Sequence, residues 1–204
     1  EMKRTKSNLK AIKTKQMKSL KFTIVVLAIF TLISCGGGTS KQAANAEGFA
    51  AIEAELKSKF GDDAYYTDIK VMYIKSLGNN IIATATDKPE SLKMGEWTLS
   101  QNSWNQTSEV SLDIPEGTKA SDFMFQLNDK LNLTKLGELV EKSSKKLIAE
   151  KNLKNPTLEI AYIKFPKNGD FSKAEYYVKL EPENGGTSFS FFYDLSGELL
   201  KMDY

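Results

Sequence analysis

Three groupings in this 204-residue sequence have residue types and spacings that can support chemistry. Ser143-Ser144-Lys145-Lys146 contains S-x-x-K, which sets a lysine one helical turn from a serine nucleophile. It falls within a Lys/Glu-rich stretch that reads as mid-helix, and no K-T-G follows it, so it reads as a chance match. Asp62, Asp63 and Asp68 offer oxygen ligands for calcium, but a calcium loop needs the D-x-[DN]-x-[DN]-G spacing. A solvated helix-to-strand loop fits those aspartates better. The third grouping is the general stock of carboxylates, two of which at a suitable separation hydrolyse glycosides. Nothing in the sequence says which of them converge.

The missing residue types weigh more. The chain has no histidine. That removes the commonest general base, the Ser-His-Asp triad and histidine-based zinc sites. Neither a Walker loop nor G-x-G-x-x-G is present. The expectation is a protein that is not an enzyme, with no catalytic residues, no metal and no cofactor.

Aromatic side chains give the positive signal. In "KAEYYVKLE", alternation sets Ala174, Tyr176, Val178 and Leu180 on one face and Glu175, Tyr177 and Lys179 on the other. Tyr177 points outward if the first set is core. Phe192 is out of phase with Phe189, Phe191 and Tyr193 in the same way. Trp97 begins a strand, and Trp104 reads as part of a polar turn. Aromatic residues on a sheet face are favoured anchors of protein interfaces, which makes Trp97, Trp104, Tyr177 and Phe192 the candidate binding residues. The alternative is that they pack under a connecting segment or between two units.

The elements that must position them come in two similar sets. Phe49, Ile52, Leu56 and Phe60 form one face of a helix, and Gly61 is placed to stop it. Leu136, Leu139, Val140, Leu147 and Ile148 form the matching stripe of a second helix. Each helix precedes a strand ending in Tyr-Ile-Lys (73–75 and 162–164), a Gly/Asn turn and a second strand. Gly95–Ile114 and Thr187–Tyr204 each read as two further strands. The expected fold is α+β: two similar units in tandem, residues 49–114 and 135–204, each a helix plus a four-stranded antiparallel sheet. The connector, 115–134, reads as a short helix from Ser121 to Lys130, although Phe123, Phe125 and Leu127 also alternate as a strand would. A helix covering one face of each sheet leaves the opposite faces as an extended surface.

The one cysteine, Cys35, follows the apolar run Phe22–Ile33, which is shorter than the about 20 residues a spanning helix needs. Eight Lys or Arg and a single acid precede position 35, the charge order of an export signal. Leu32-Ile33-Ser34-Cys35 resembles a bacterial lipobox. The resemblance implies cleavage before Cys35 and acylation of its thiol, hence a membrane anchor there. Met17 is the expected true start, residues 1–34 the leader and signal, and 35–48 a flexible tether. The glycine run after Cys35 resembles lipoproteins of the Bacteroidetes type, which implies the outer membrane. Without the acidic cluster of surface-exported members, the periplasmic face is expected. Removing the leader lowers Lys plus Arg from 28 to 20 and Asp plus Glu from 26 to 25. The remaining chain is acidic, with no basic patch for nucleic acid.

The doubled pattern, and "FFYDLSGELLKMD" with Asp194, Ser196 and Gly197 in its turn, resembles tandem PepSY-like and β-lactamase-inhibitor-protein-like domains. The first half departs from this, since "SQNSWNQT" lacks both the Asp and the Gly. What the resemblance implies is binding or inhibition of an envelope protein. The alternative is carriage of an apolar or peptidic small ligand in a cleft between the two repeats. A flat aromatic strip would mark the first function and an enclosed pocket the second.

Overall fold

Helix α1, Ala46–Phe60, begins where the Asn45 side chain accepts the Gly48 N–H at 2.8 Å. It stops at Gly61, whose φ of 99° is open to glycine and costly for other residues. Phe49, Ile52 and Leu56 are buried along one side. Helix α2, Leu133–Lys151, is capped in the same way, Asn132 accepting the Lys135 N–H at 2.8 Å. Leu136, Leu139, Val140 and Leu147 are buried, whereas Ile148, expected in that stripe, is 50% exposed. The computed structural model describes residues 38–204; the leader, Cys35 and the expected lipidation lie outside the described residues.

Eight strands form one antiparallel sheet: β1 Tyr65–Ile74, β2 Gly78–Thr86, β3 Lys93–Ser100, β4 Ser103–Ser111, β5 Pro156–Lys164, β6 Glu175–Pro182, β7 Phe189–Tyr193 and β8 Leu199–Asp203. Their spatial order is β4-β3-β2-β1-β5-β6-β7-β8. Among the described residues the fold is therefore α+β, with two α-helices and one sheet. Two separate sheets side by side are not what forms. β1 pairs with β5 through Lys70↔Tyr162, Val71↔Ala161 and Met72↔Ile160. A single hydrophobic core runs from Phe49 and Ile69 through Leu136 to Tyr176 and Tyr193, so both helices cover the same face.

The helices also cap each other. Leu133, the first residue of α2, donates its N–H to Glu53 of α1 at 2.7 Å, and Ala46 of α1 donates to Glu141 of α2 at 3.4 Å. First-turn N–H groups have no acceptor within their own helix and carry partial positive charge. A carboxylate at such a place contributes about 0.3–1 kcal/mol. Gly137 makes the approach possible: a Cβ there would lie 2.4 Å from the Asn45 carbonyl oxygen.

Two expectations about irregular segments need correction. The connector holds a single 3₁₀ turn, Ala120–Phe123, in place of a helix to Lys130. Phe125 then bridges to Tyr66 through a pair of 2.8 Å backbone bonds, and Phe125 and Leu127 are buried. At the two ends of the turn, Ala120 and Met124 pack with Met94 in a separate small cluster. By alternation with Glu96, Met94 lies on the face away from the helices, so the connector passes around the end of the sheet. The expected tether is shorter than residues 35–48. Thr39 and Ser40 are buried, and α1 already begins at Ala46. Asn79 donates to the Thr39 and Gln42 carbonyls at 3.1 and 2.8 Å, and Asn102 accepts from Ser40.

The hydroxyl of Tyr66 is buried without a hydrogen-bond partner among the described residues. Tyr176, equally buried, accepts the Asn132 N–H at 3.1 Å beside the α2 cap. Tyr66→Phe is expected to stabilise the fold by about 1 kcal/mol, because it removes an unpaired buried polar group. Tyr176→Phe is expected to destabilise it by about 1 kcal/mol, for the opposite reason. Urea unfolding of the two variants checks the sign of each change.

Candidate functional site

The sheet face without helices carries a line of side chains that crosses seven strands. Register places Thr98, Ile82, Lys70, Tyr162, Tyr177, Phe192 and Lys201 side by side, from β3 to β8. The middle of the line is aromatic. The Tyr162 and Tyr177 rings stack with centroids 4.5 Å apart at 28°, and Phe192 meets Tyr177 edge-on at 5.0 Å. Each such pair contributes about 0.5–1.5 kcal/mol beyond area burial. The Tyr177 hydroxyl is bonded to Ser190 at 2.8 Å. The three rings are partly exposed.

Each lysine around these rings has a carboxylate. Lys70 pairs with Asp68, Lys164 with Glu175 at 2.8 Å, Lys179 with Glu159 at 2.6 Å, and Lys201 with Asp203 at 2.6 Å. Exposed pairs of this kind add little stability, about 0–1 kcal/mol each. Their main effect is on charge, because they leave the strip locally neutral. The Lys164 and Lys201 ammoniums also lie 5.5 and 5.8 Å from the Phe192 ring centroid. Burial pushes the Tyr162 phenol up, with Tyr177 and then Asp68 adding to it. Burial alone would raise Glu159, but hydrogen bonds from Lys179 and Ser188 outweigh it and hold the carboxyl below its usual range.

Tyr177 and Phe192 stand where alternation along β6 and β7 sets them. Trp97 and Trp104 do not join them. By register with Ala83 and Leu99, both lie on the helix-covered face. Phe60 meets their rings at 5.8 and 5.2 Å. Trp104 is in β4 and not in a turn, and its Nε1 donates to Glu55 at 2.9 Å. Trp97 lies under the Lys59 ammonium, 4.4 Å from the ring centroid, and over Gly95, where a Cβ would come within 2.3 Å of its Nε1. The tryptophans therefore belong to the margin of the core.

Tyr162 is the member that sequence reading missed. Alternation from Leu158 through Ile160 assigns it to the core face. An extra residue at Glu159 breaks the register between Leu158 and Ile160 and turns Tyr162 outward. Tyr73, its counterpart in the Tyr-Ile-Lys comparison, pairs with buried Asn79 on the other face. The two Tyr-Ile-Lys runs thus occupy opposite sides of the sheet.

The remaining groupings serve the architecture. Ser143 is buried and donates to the Leu139 carbonyl at 2.8 Å, so the Tyr193 hydroxyl must donate to Ser143, also at 2.8 Å. Lys146 is engaged by Glu150. Asp194 accepts from Ser196 at 2.6 Å and from the Glu198 N–H at 2.8 Å, which together hold its carboxyl below the usual range. Asp62 and Asp63 are exposed, and Asp68 is on the open face bound to Lys70. Among the described residues no three His, Cys, Asp or Glu side chains are grouped to hold a metal ion. No helix among them is long and apolar enough to cross a membrane. Comparison with protein-family models, with curated proteins and with solved structures returns no match.

Asp68 gives the face a pH dependence. Burial pushes its carboxyl above the ordinary 3.8, against the hydrogen bond and charge of Lys70. A carboxyl whose folded pKa exceeds its unfolded one favours the fold while protonated, so its contribution falls as pH rises from about 4. Asp68→Asn is expected to flatten that slope between pH 4 and 7, read from urea midpoints at several pH values. An unchanged slope would remove Asp68 as its source.

Proposed function

We propose that this chain is a non-catalytic lipoprotein of the bacterial envelope that binds another envelope protein through the open face of its sheet. The observation that carries this reading is the neutral aromatic strip Tyr162–Tyr177–Phe192 on the face that neither helix covers. Aromatic rings pre-ordered by stacking, with charges already paired around them, have the composition of an interface core and its rim. The lysine–carboxylate pairs can exchange partners with little net cost on binding, since each is weak at the surface.

Acylation at Cys35 supplies the membrane anchor; the glycine run behind it favours the outer membrane, and the lack of an acidic cluster there favours its periplasmic face. The two halves are read as a tandem duplication, each a helix and four strands. Support comes from the matching Asn caps, the reciprocal glutamates and a strand order that mirrors about the β1–β5 seam. Whether binding also inhibits the partner depends on what that partner does. The carrier reading needs an enclosed apolar cleft between the halves. The 490 Å³ depression between the helices is open and lined by Glu53, Lys57, Lys135 and Glu138, which suits it poorly.

Crosslinking in the native envelope, followed by capture of the tagged chain, tests the proposal. One envelope protein is expected in near-stoichiometric yield. That recovery should fall at least tenfold with Tyr177→Ala or Phe192→Ala while the far-ultraviolet circular dichroism stays unchanged. Recovery indifferent to both substitutions would overturn the assignment of this face. The anchor is tested separately: Cys35→Ala should release the protein from the membrane fraction.

A further inference from the structure

We infer that the end of the sheet where residues 38–42 join the fold lies against the membrane, with anionic phospholipid headgroups as its partner. The inference rests on the reading of Cys35 as the acylated residue. From Cys35 to Thr39 is four residues, which span at most about 14 Å fully extended. Beyond that point there is no slack. Thr39 and Ser40 are buried, fastened to Asn79 and Asn102, and Gly78 passes so close that a Cβ would lie 2.0 Å from the Ser40 carbonyl oxygen. The anchor therefore fixes which end of the molecule meets the lipid.

That end has the side chains an interface favours. Tyr73 and Leu77, at the β1–β2 hairpin, are 43% and 38% exposed. The register carries the same row across the sheet, Met72 aligning through Ile160, Lys179 and Ser190 with Asp203. Tyr204, one residue further, therefore stands level with Tyr73. It is 77% exposed, and the Lys151 ammonium at the end of α2 lies 4.4 Å from its ring centroid. Tyrosine is favoured at the headgroup level, and lysine gains from anionic lipid there.

Charge separates the two ends. Lys41, Lys75, Lys151 and Lys154 have no carboxylate within 4.0 Å among the described residues, unlike the lysines of the open face. Glu47 and Glu183 are the opposing exposed charges at this end, while Glu150 and Asp203 are taken by Lys146 and Lys201. At the other end Asp62, Asp63, Asp87, Glu90, Asp113, Glu116, Asp122, Asp129 and Glu198 are exposed, against Lys59, Lys88, Lys119, Lys130 and Lys167, so acids outnumber lysines there. The basic end is thus the one the anchor draws to the bilayer. The strands then stand on end, and the aromatic line runs parallel to the membrane surface, open to a partner from the side.

The test uses the full chain bound to vesicles of phosphatidylcholine and phosphatidylglycerol. Mass spectrometry first reads Cys35, and a missing acyl mass would sink the anchor reading by itself. With the acyl group present, nitroxides on Leu77→Cys and Glu116→Cys report depth. The label at 77 is expected to favour collision with oxygen over an aqueous nickel chelate, and the label at 116 the reverse. Lys75→Glu with Lys151→Glu should move the label at 77 into water while the acyl chain keeps the protein bound. Equal aqueous exposure at 77 and 116 would overturn the inference. If Cys35 carries no lipid, vesicle flotation decides. Binding at least tenfold stronger with phosphatidylglycerol than without, and lost in the double-lysine variant, supports the surface; equal binding overturns it.

Discussion

Three residue pairs between β1 and β5 decide the shape of the whole molecule. Val71 opposite Ala161 is a pair of core-facing residues, flanked by the outward pairs Lys70–Tyr162 and Met72–Ile160. Because side chains alternate along a strand, a slip of one residue would set core-facing Val71 against outward-facing Tyr162 and turn one half over. In the observed register both halves present their apolar side to the same layer. Both helices must then lie on that side, and the other face stays open along the line from Thr98 to Lys201, the connector covering only the corner around Met94. The cross-strand line of seven residues exists only because the seam keeps the halves in phase.

The helix layer is tied as closely as the sheet. Each helix begins next to a glutamate of the other, and Gly137 allows the backbones to approach at the start of α1. The N-terminal segment enters beside that contact, clasped by Asn79 and Asn102 from two hairpins of the first half. The point of entry, the helix pair and the sheet therefore behave as one body. In the proposed setting, this rigidity would carry a fixed orientation from the anchor to the aromatic strip.

How much of this was legible in the sequence depended on how local the cause was. Both helices could be read from their apolar spacing, and α1 also from its glycine stop, because capping and amphipathic burial act within a few residues. Tyr177 and Phe192 were placed correctly because β6 and β7 run without interruption through the residues concerned. Tyr162 was not, since the bulge at Glu159 reverses the phase of β5 and has no signature in its neighbours. Thr67 does the same in β1, between Tyr66 and Asp68. Trp97 and Trp104 sit in polar surroundings along the chain, and only the last turn of α1 explains why they face inward. The docking of Thr39 and Ser40 depends on Asn79, some 40 residues away, and on a carbonyl-to-amide fit that composition does not encode.

The shared contact of the two tryptophans with Phe60 has a spectroscopic consequence. These are the only indoles in the chain, and both report the seating of one turn of one helix. Their emission is blind to β5 through β8, whose aromatic residues are all tyrosine and phenylalanine. Tryptophan fluorescence thus views the first half of one continuous core, whereas circular dichroism averages over both halves. Coincident melting curves from the two probes would be a direct signature of cooperativity across the β1–β5 seam, and separated curves would show that seam parting first.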